Sequence, residues 1–262
     1  MQLLTFIQVS ILLSLHLQAV KAAPIDEPLL QRDAELYKRV PGDSAQDPIM
    51  AELACTGVEP VCEADCIAIL CHGRPQIMQR DTANRAAHYA QSGAGLTPFQ
   101  DTPAMMQRRG ISIPDLLYNS AEETTYESAA QGGPGTVLFP VPRDLNLEHG
   151  RRIGAMYTNF GITNGRWFKQ LFTFLNSQTP HCLALMQDPP DDSICRKRLG
   201  NEFTGQYDLK PYAFVKNQLV TNPITFTNLF KGYLTKRDDG SEVLENPDES
   251  KREVPTMEVN TE

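Results

Sequence analysis

The sequence lacks what would suit it to a membrane or to several common enzyme classes. Past residue 22, no stretch approaches the ~18 consecutive apolar residues of a membrane helix, so no span is expected there. There is no G-x-S-x-G elbow, no phosphate-binding P-loop and no H-E-x-x-H pair, which removes the α/β-hydrolase, P-loop NTPase and zincin patterns. No N-x-S/T sequon with a permitted middle residue occurs, so N-glycosylation is not expected. No internal repeat is visible. Histidines are few: beyond His16 there are only His72, His88, His149 and His181. Excess charge is also scarce in the middle of the chain. Residues 238–262 carry nine acids and two bases and account for seven of the eight net negative charges. Residues 40–237 are therefore nearly neutral and do not repel a polyanionic ligand.

What is present points to export. Residues 1–22 form a short apolar run interrupted by Gln8, Ser10 and His16. Val20 and Ala22 occupy the small-residue positions before a signal-peptidase cut, so a secretory signal cleaved near Ala22-Ala23 is expected. The dibasic pair Lys38-Arg39 closes a 23–39 segment that reads as a removable pro-segment. Lys236-Arg237 opens the acidic tail, 238–262, whose composition buries too little apolar surface to offset ordering and predicts disorder. Six cysteines, Cys55, Cys62, Cys66, Cys71, Cys182 and Cys195, make an even count in an exported chain and predict three disulfides. Their connectivity stays open, and no C-x-x-C knuckle suggests zinc. The mature protein is expected to be extracellular.

The folded part, 40–237, reads as α+β, a small sheet with packed helices and a disulfide-stapled helical unit at its N-terminal end. Cys55–Cys71 is expected to be that unit. Residues 81–93 predict an Ala-rich helix, capped by Asp81 or Thr82 and ended by Gly93. A loop is expected from there to about Gln107. Residues 135–141 suit a buried strand through Val137, Leu138, Phe139 and Val141. Residues 148–160 place Ile153, Met156, Tyr157 and Phe160 on one helical face, and 166–175 return as a strand. Short aromatic strands, including PYAFV and PITFTNLF, are expected within 196–235.

The stretch SAEETTYESAAQGG (120–133) sets Glu122, Glu123 and Glu127 just before Gly132-Gly133. It is similar to the signature of the NucA/NucB deoxyribonucleases, roughly C-D-E-Y-P-F-A-S-T-x-E-G-G. Glu122 and Glu123 stand at the family's Asp-Glu pair, Tyr126 at its Phe, Ser128 at its Ser, and the two glycines match. A second block, VPRDLNLEHGRRIGAMY (141–157), resembles the family's V-P-x-x-E-N-x-x-Q-G and following helix through Val141, Pro142, Asn146, Gly150 and Tyr157. With the Cys-rich start and the ANR-type helix, which resemble secreted fungal members, the likeness spans about 55–182.

The resemblance implies a secreted hydrolase cutting phosphodiester bonds of extracellular DNA, with Mg²⁺ or Mn²⁺. Such chemistry needs a cation to offset charge on the phosphoryl oxygens and a base to activate water. It implies Glu122 and Glu123, on a turn, as metal ligands or base, and Asn146 as a contact to a phosphate or metal-bound water. His149 is a further candidate base. Gly132 and Gly133 would admit a phosphate to the backbone, and Arg143, Arg151 and Arg152 would contact the strand. The chain departs from the family at several positions, Ala121, Glu122, Thr124, Thr125 and His149 among them. At two others a charge is lost: Leu145 replaces the second block's Glu, and Gln131 replaces the first block's later Glu. Neither replacement carries charge, so a catalytically inactive nuclease-fold protein used for binding or as an effector is the alternative expectation.

Overall fold

The computed structural model describes residues 40–199, 207–219, 221–236 and 241–245. The expected signal and pro-segment, and the tail past 245, lie outside the described residues. The class is α+β, with three disulfides gathered on the first helix.

That helix, α1 (Glu59–His72), organises the rest. Pro60 sits in its first turn, where a missing N–H costs nothing, and Gly73 ends it at φ 62°, donating its N–H to Ala68 O. The helix is apolar nearly all round because it serves two cores. Cys62 and Cys66 pack with Ala51, Leu53, Phe168 and Phe172, while Val61, Ala64, Ile67 and Ala68 pack with Val137, Phe139 and Val141. Each fully buried Leu, Ile or Phe contributes about 1.5–3 kcal/mol, so two cores can offset the cost of burying two acids of α1, Glu63 and Asp65. The bridges Cys55–Cys62, Cys66–Cys182 and Cys71–Cys195 tie α1 to what precedes it and to two downstream segments.

The first core lies against a three-stranded sheet of order β1-β5-β2. Strand β1 (Ile49–Ala54) runs parallel to β5 (Trp167–Thr173), with Ile49 opposite Phe168, and β2 (Ile77–Gln79) is antiparallel to β5. Phe168, Gln170 and Phe172 of β5 point inward in strict alternation. The second core lies against an antiparallel sheet of order β3-β4-β6-β7, made by β3 (Ser120–Glu123), β4 (Val137–Val141), β6 (Phe214–Lys216) and β7 (Phe226–Asn228). Pro140 is tolerated in β4 because β6 pairs only with Val137 and Leu138, short of the missing N–H.

The remaining helices are α2 (Arg85–Ser92), α3 (Pro103–Arg109), α4 (Arg143–Asn159) and α5 (Pro180–Leu185). Four expectations need correction. Helix α2 begins at Arg85 rather than 81, with Asn84 at its N-cap position instead of Asp81 or Thr82. Helix α3 occupies part of the expected loop; Thr102 caps it, accepting from Met105 N, and Gly110 ends it in the left-handed conformation. Helix α4 starts at Arg143 rather than 148, since Pro142 closes β4 and leaves the next residues free to coil. Strand β9 (Glu242–Glu245) pairs with β8 (Tyr233–Lys236) inside the tail expected to be disordered, Leu234 facing Leu244. No helix among the described residues is long and apolar enough to cross a membrane.

Candidate functional site

Glu122 and Glu123 lie on β3, not on a turn. Successive residues of a strand face opposite ways, so the two carboxyls have different neighbours although both reach one cleft. Glu122 is buried against α1 and α4. There its Oε1 lies 3.6 Å from Nδ1 of His149, whose Nε2 lies 3.4 Å from Asp65 Oδ2. Tyr126 donates its hydroxyl to the same Asp65 oxygen at 3.1 Å. Asp65, Glu122 and His149 thus each bring a ligand atom within 4.8 Å of the others. Glu123 is not part of this group, which corrects the expected pairing of Glu122 with Glu123.

The electrostatics of the group follow from burial. Burial raises the Asp65 carboxyl well above its ordinary pKa. It does the same for Glu122, and the neighbouring Asp65 charge raises that group further. Burial, then the positive charge of Arg152, lowers His149 to about 3. The ring is therefore neutral at physiological pH, and its contacts with the two carboxyls are not ion pairs. Asp65 Oδ1 and both ring nitrogens have no hydrogen-bond partner among the described residues. Glu63, the other buried acid of α1, makes a contrast. Its oxygens accept from the backbone N–H groups of His181 and Cys182 and contact the His181 ring, so it holds the start of α5.

The donor set of two carboxylates and an imidazole fits a divalent cation. An imidazole gives one ion only one of its two nitrogens, and the 3.6 Å Nδ1 and 3.4 Å Nε2 contacts lie on opposite edges of the ring. The candidate donor set is therefore one atom from each residue, within 4.8 Å of the others. Asp65 Oδ1 and either ring nitrogen, without partners among the described residues, are available to such an ion.

The group opens onto a cleft of about 280 Å³. Glu122, Glu123 and His149 line it with Asn146, Tyr126 and Tyr157, while Asp65 lies behind them. Burial and the charge of Glu127 raise Glu123 to about 7, against the opposing pull of the Ser92 hydroxyl and Arg85. Its Oε1 is likewise without a partner among the described residues. Arg80, just after β2, and Arg85, opening α2, line the cleft as well. The Arg80 guanidinium lies 4.5 Å from the Tyr157 ring centroid, and Arg85 pairs with Glu127. Gly150 and Gly154 of α4 form part of the wall, and a Cβ at either would meet nothing within 4 Å.

The other sequence candidates divide clearly. Asn146 is in the cleft, but its amide donates to Ser120 Oγ and Ala121 O, both at 2.9 Å. Gly132 and Gly133 are buried in packing: a Cβ at Gly132 would meet Tyr126 O at 2.4 Å, and Gly133 sits at φ 90° beside Gln91 and His88. Arg143, Arg151 and Arg152 do not line the cleft. Arg151 pairs with Glu148, and Arg152 donates to Ala54 O and Thr56 O, fastening α4 to the end of β1. Leu145 packs against the second core, and Gln131 Oε1 accepts from Gln79 N at 2.9 Å.

Sequence reasoning misses Asp65, Arg80 and Arg85. For Asp65 a signal exists: an acid inside the apolar, cysteine-flanked CEADC turn has no solvent-facing reason to be there. No protein-family model matches this chain, and comparison with curated proteins finds no match in sequence.

Proposed function

We propose that this protein is an exported, divalent-metal-dependent deoxyribonuclease that hydrolyses phosphodiester bonds in the cleft between β3 and α4. The observation that carries the reading is that Asp65, Glu122 and His149 bring ligand atoms within 4.8 Å of one another at a cleft also lined by Glu123, Glu127 and two arginines. The resemblance of 120–133 and 141–157 to the NucA/NucB deoxyribonucleases supplies the substrate class.

In this reading Asp65, Glu122 and His149 would hold Mg²⁺ or Mn²⁺, which when bound supplies positive charge against the phosphoryl oxygens. The chain's own residues do the rest. Glu123 lines the cleft and takes the proton of the attacking water. The water oxygen bonds to phosphorus as the phosphorus–oxygen bond to the departing sugar breaks, and that oxygen is protonated from solvent. Arg80 and Arg85 offer cationic contacts to the strand at the cleft. In this reading Asp65 would supply the acid that Leu145 cannot provide.

A specific observation favours a second reading, a nuclease-fold binding protein without turnover. Leu145, Gln131 and the Asn146 amide are all committed to packing or internal hydrogen bonds. Incubating the purified protein with supercoiled plasmid and Mg²⁺ or Mn²⁺, then with EDTA, separates the two. The nuclease reading expects cutting that EDTA abolishes and that Glu123→Gln lowers by at least about 100-fold, the usual range for a lost general base. Intact plasmid under every metal, from a folded protein, supports the binding reading instead.

A further inference from the structure

A second cavity, of about 610 Å³, shares no lining residue with the cleft. One part of its lining is cationic: Arg74, Arg196, Lys210 and Lys231, with no carboxylate among the lining residues. Lys210 is buried, and its ammonium is shared with Asp208 Oδ2 at 3.2 Å. Arg74, Arg196 and Lys231 have no carboxylate partner among the described residues, leaving up to three positive charges among the residues that line one space. Their field is felt inside the protein. The His72 imidazole, also in the lining, is lowered to about 4 by burial first and then by the charges of Arg74, Lys231 and His181.

The other part of the lining is apolar. Leu229 and Phe230 come from the segment between β7 and β8, and Leu234 and Leu244 are partners across the β8–β9 hairpin. The site is also braced. Cys71 and Cys195 both line it, and their disulfide fixes the end of α1, which leads to Arg74, against Arg196. Its volume lies within the range of small-molecule sites, ~300–1,000 Å³.

We propose that this cavity binds a small organic phosphomonoester of mononucleotide size, its phosphate held by Arg74, Arg196 and Lys231 and its ring against Leu234, Leu244 and Phe230. Several uncompensated cations favour a dianion over a carboxylate. A phosphomonoester carries about −1.5 to −2 at neutral pH and offers oxygens suited to forked arginine contacts. The apolar wall has no use for inorganic phosphate, but it buries a heterocycle. The inference stands on different residues from the nuclease reading and survives if that reading fails.

Isothermal titration of the full chain with adenosine 5′-monophosphate, inorganic phosphate and adenosine, in a phosphate-free buffer, tests it. Adenosine monophosphate should bind, and each half-ligand should bind at least about tenfold more weakly, a loss of ~1.4 kcal/mol or more. Affinity should fall as salt rises, by screening. The double variant Arg196→Glu/Lys231→Glu changes two exposed residues and should keep the melting temperature while losing adenosine monophosphate by about tenfold or more. No heat with adenosine monophosphate, inorganic phosphate binding as tightly, or unchanged binding in the folded double variant would each overturn the assignment.

Discussion

Asp65 and His149 make the site at the level of single residues, and the sequence marks them unequally. His149 is prominent because histidines are scarce and it follows Asn146 in a block resembling a nuclease. For Asp65 the cysteine-flanked CEADC stretch marks a buried acid, but its place beside Glu122 comes from α1 packing between two sheets, a tertiary event that no local pattern encodes. His72 supports a prediction at the same scale. The unfolded ring titrates near 6.5 and the buried ring near 4. Between those values the unfolded chain binds a proton that the folded chain does not, so stability falls as pH drops from about 6.5 to about 4. Urea unfolding across this window should show His72→Gln losing less stability than the natural protein, by roughly 2–3 kcal/mol. Equal losses in the two proteins would show that His72 does not carry the effect.

At the level of elements, legibility tracked periodicity. Strand β5 was readable because Phe168, Gln170 and Phe172 alternate cleanly, and β4 because its apolar run is unbroken. Strand β3 was not, since Ser-Ala-Glu-Glu has weak strand propensity and is held extended by pairing with β4. Helix α4 was legible along its apolar face, but not at its start, which depends on where β4 ends. Its two glycines carry a prediction. Each costs a helix interior up to about 1 kcal/mol relative to alanine, yet both stand where a side chain would enter the cleft. Gly154→Leu should fold with unchanged or higher melting temperature while raising KM for DNA or abolishing cutting. Gly150→Ala should be more stable by about 0.5–1 kcal/mol. Full activity in Gly154→Leu would mean that DNA does not use this wall.

For the whole molecule, the disulfides join stability to the site. Three bridges with no free cysteine fit an extracellular protein, and the even cysteine count foretold their number but not their partners. Cys66–Cys182 spans 116 residues and begins one residue from Asp65. Removing it as Cys66→Ala/Cys182→Ala should cost roughly 2–5 kcal/mol in chemical unfolding. Because Asp65 loses its anchored neighbour, cation binding should weaken in the same variant even where it remains folded. A bridge that served stability alone would leave binding in the folded fraction untouched.

The central claim is that Asp65, Glu122 and His149 form one cation site, and calorimetric titration of the purified protein with Mn²⁺ tests it without reference to activity. One ion per chain is expected, weakened at least about tenfold in Asp65→Asn and retained in Glu123→Gln. No saturable binding by the folded protein, or an Asp65→Asn variant that binds as tightly as the natural chain, would contradict it.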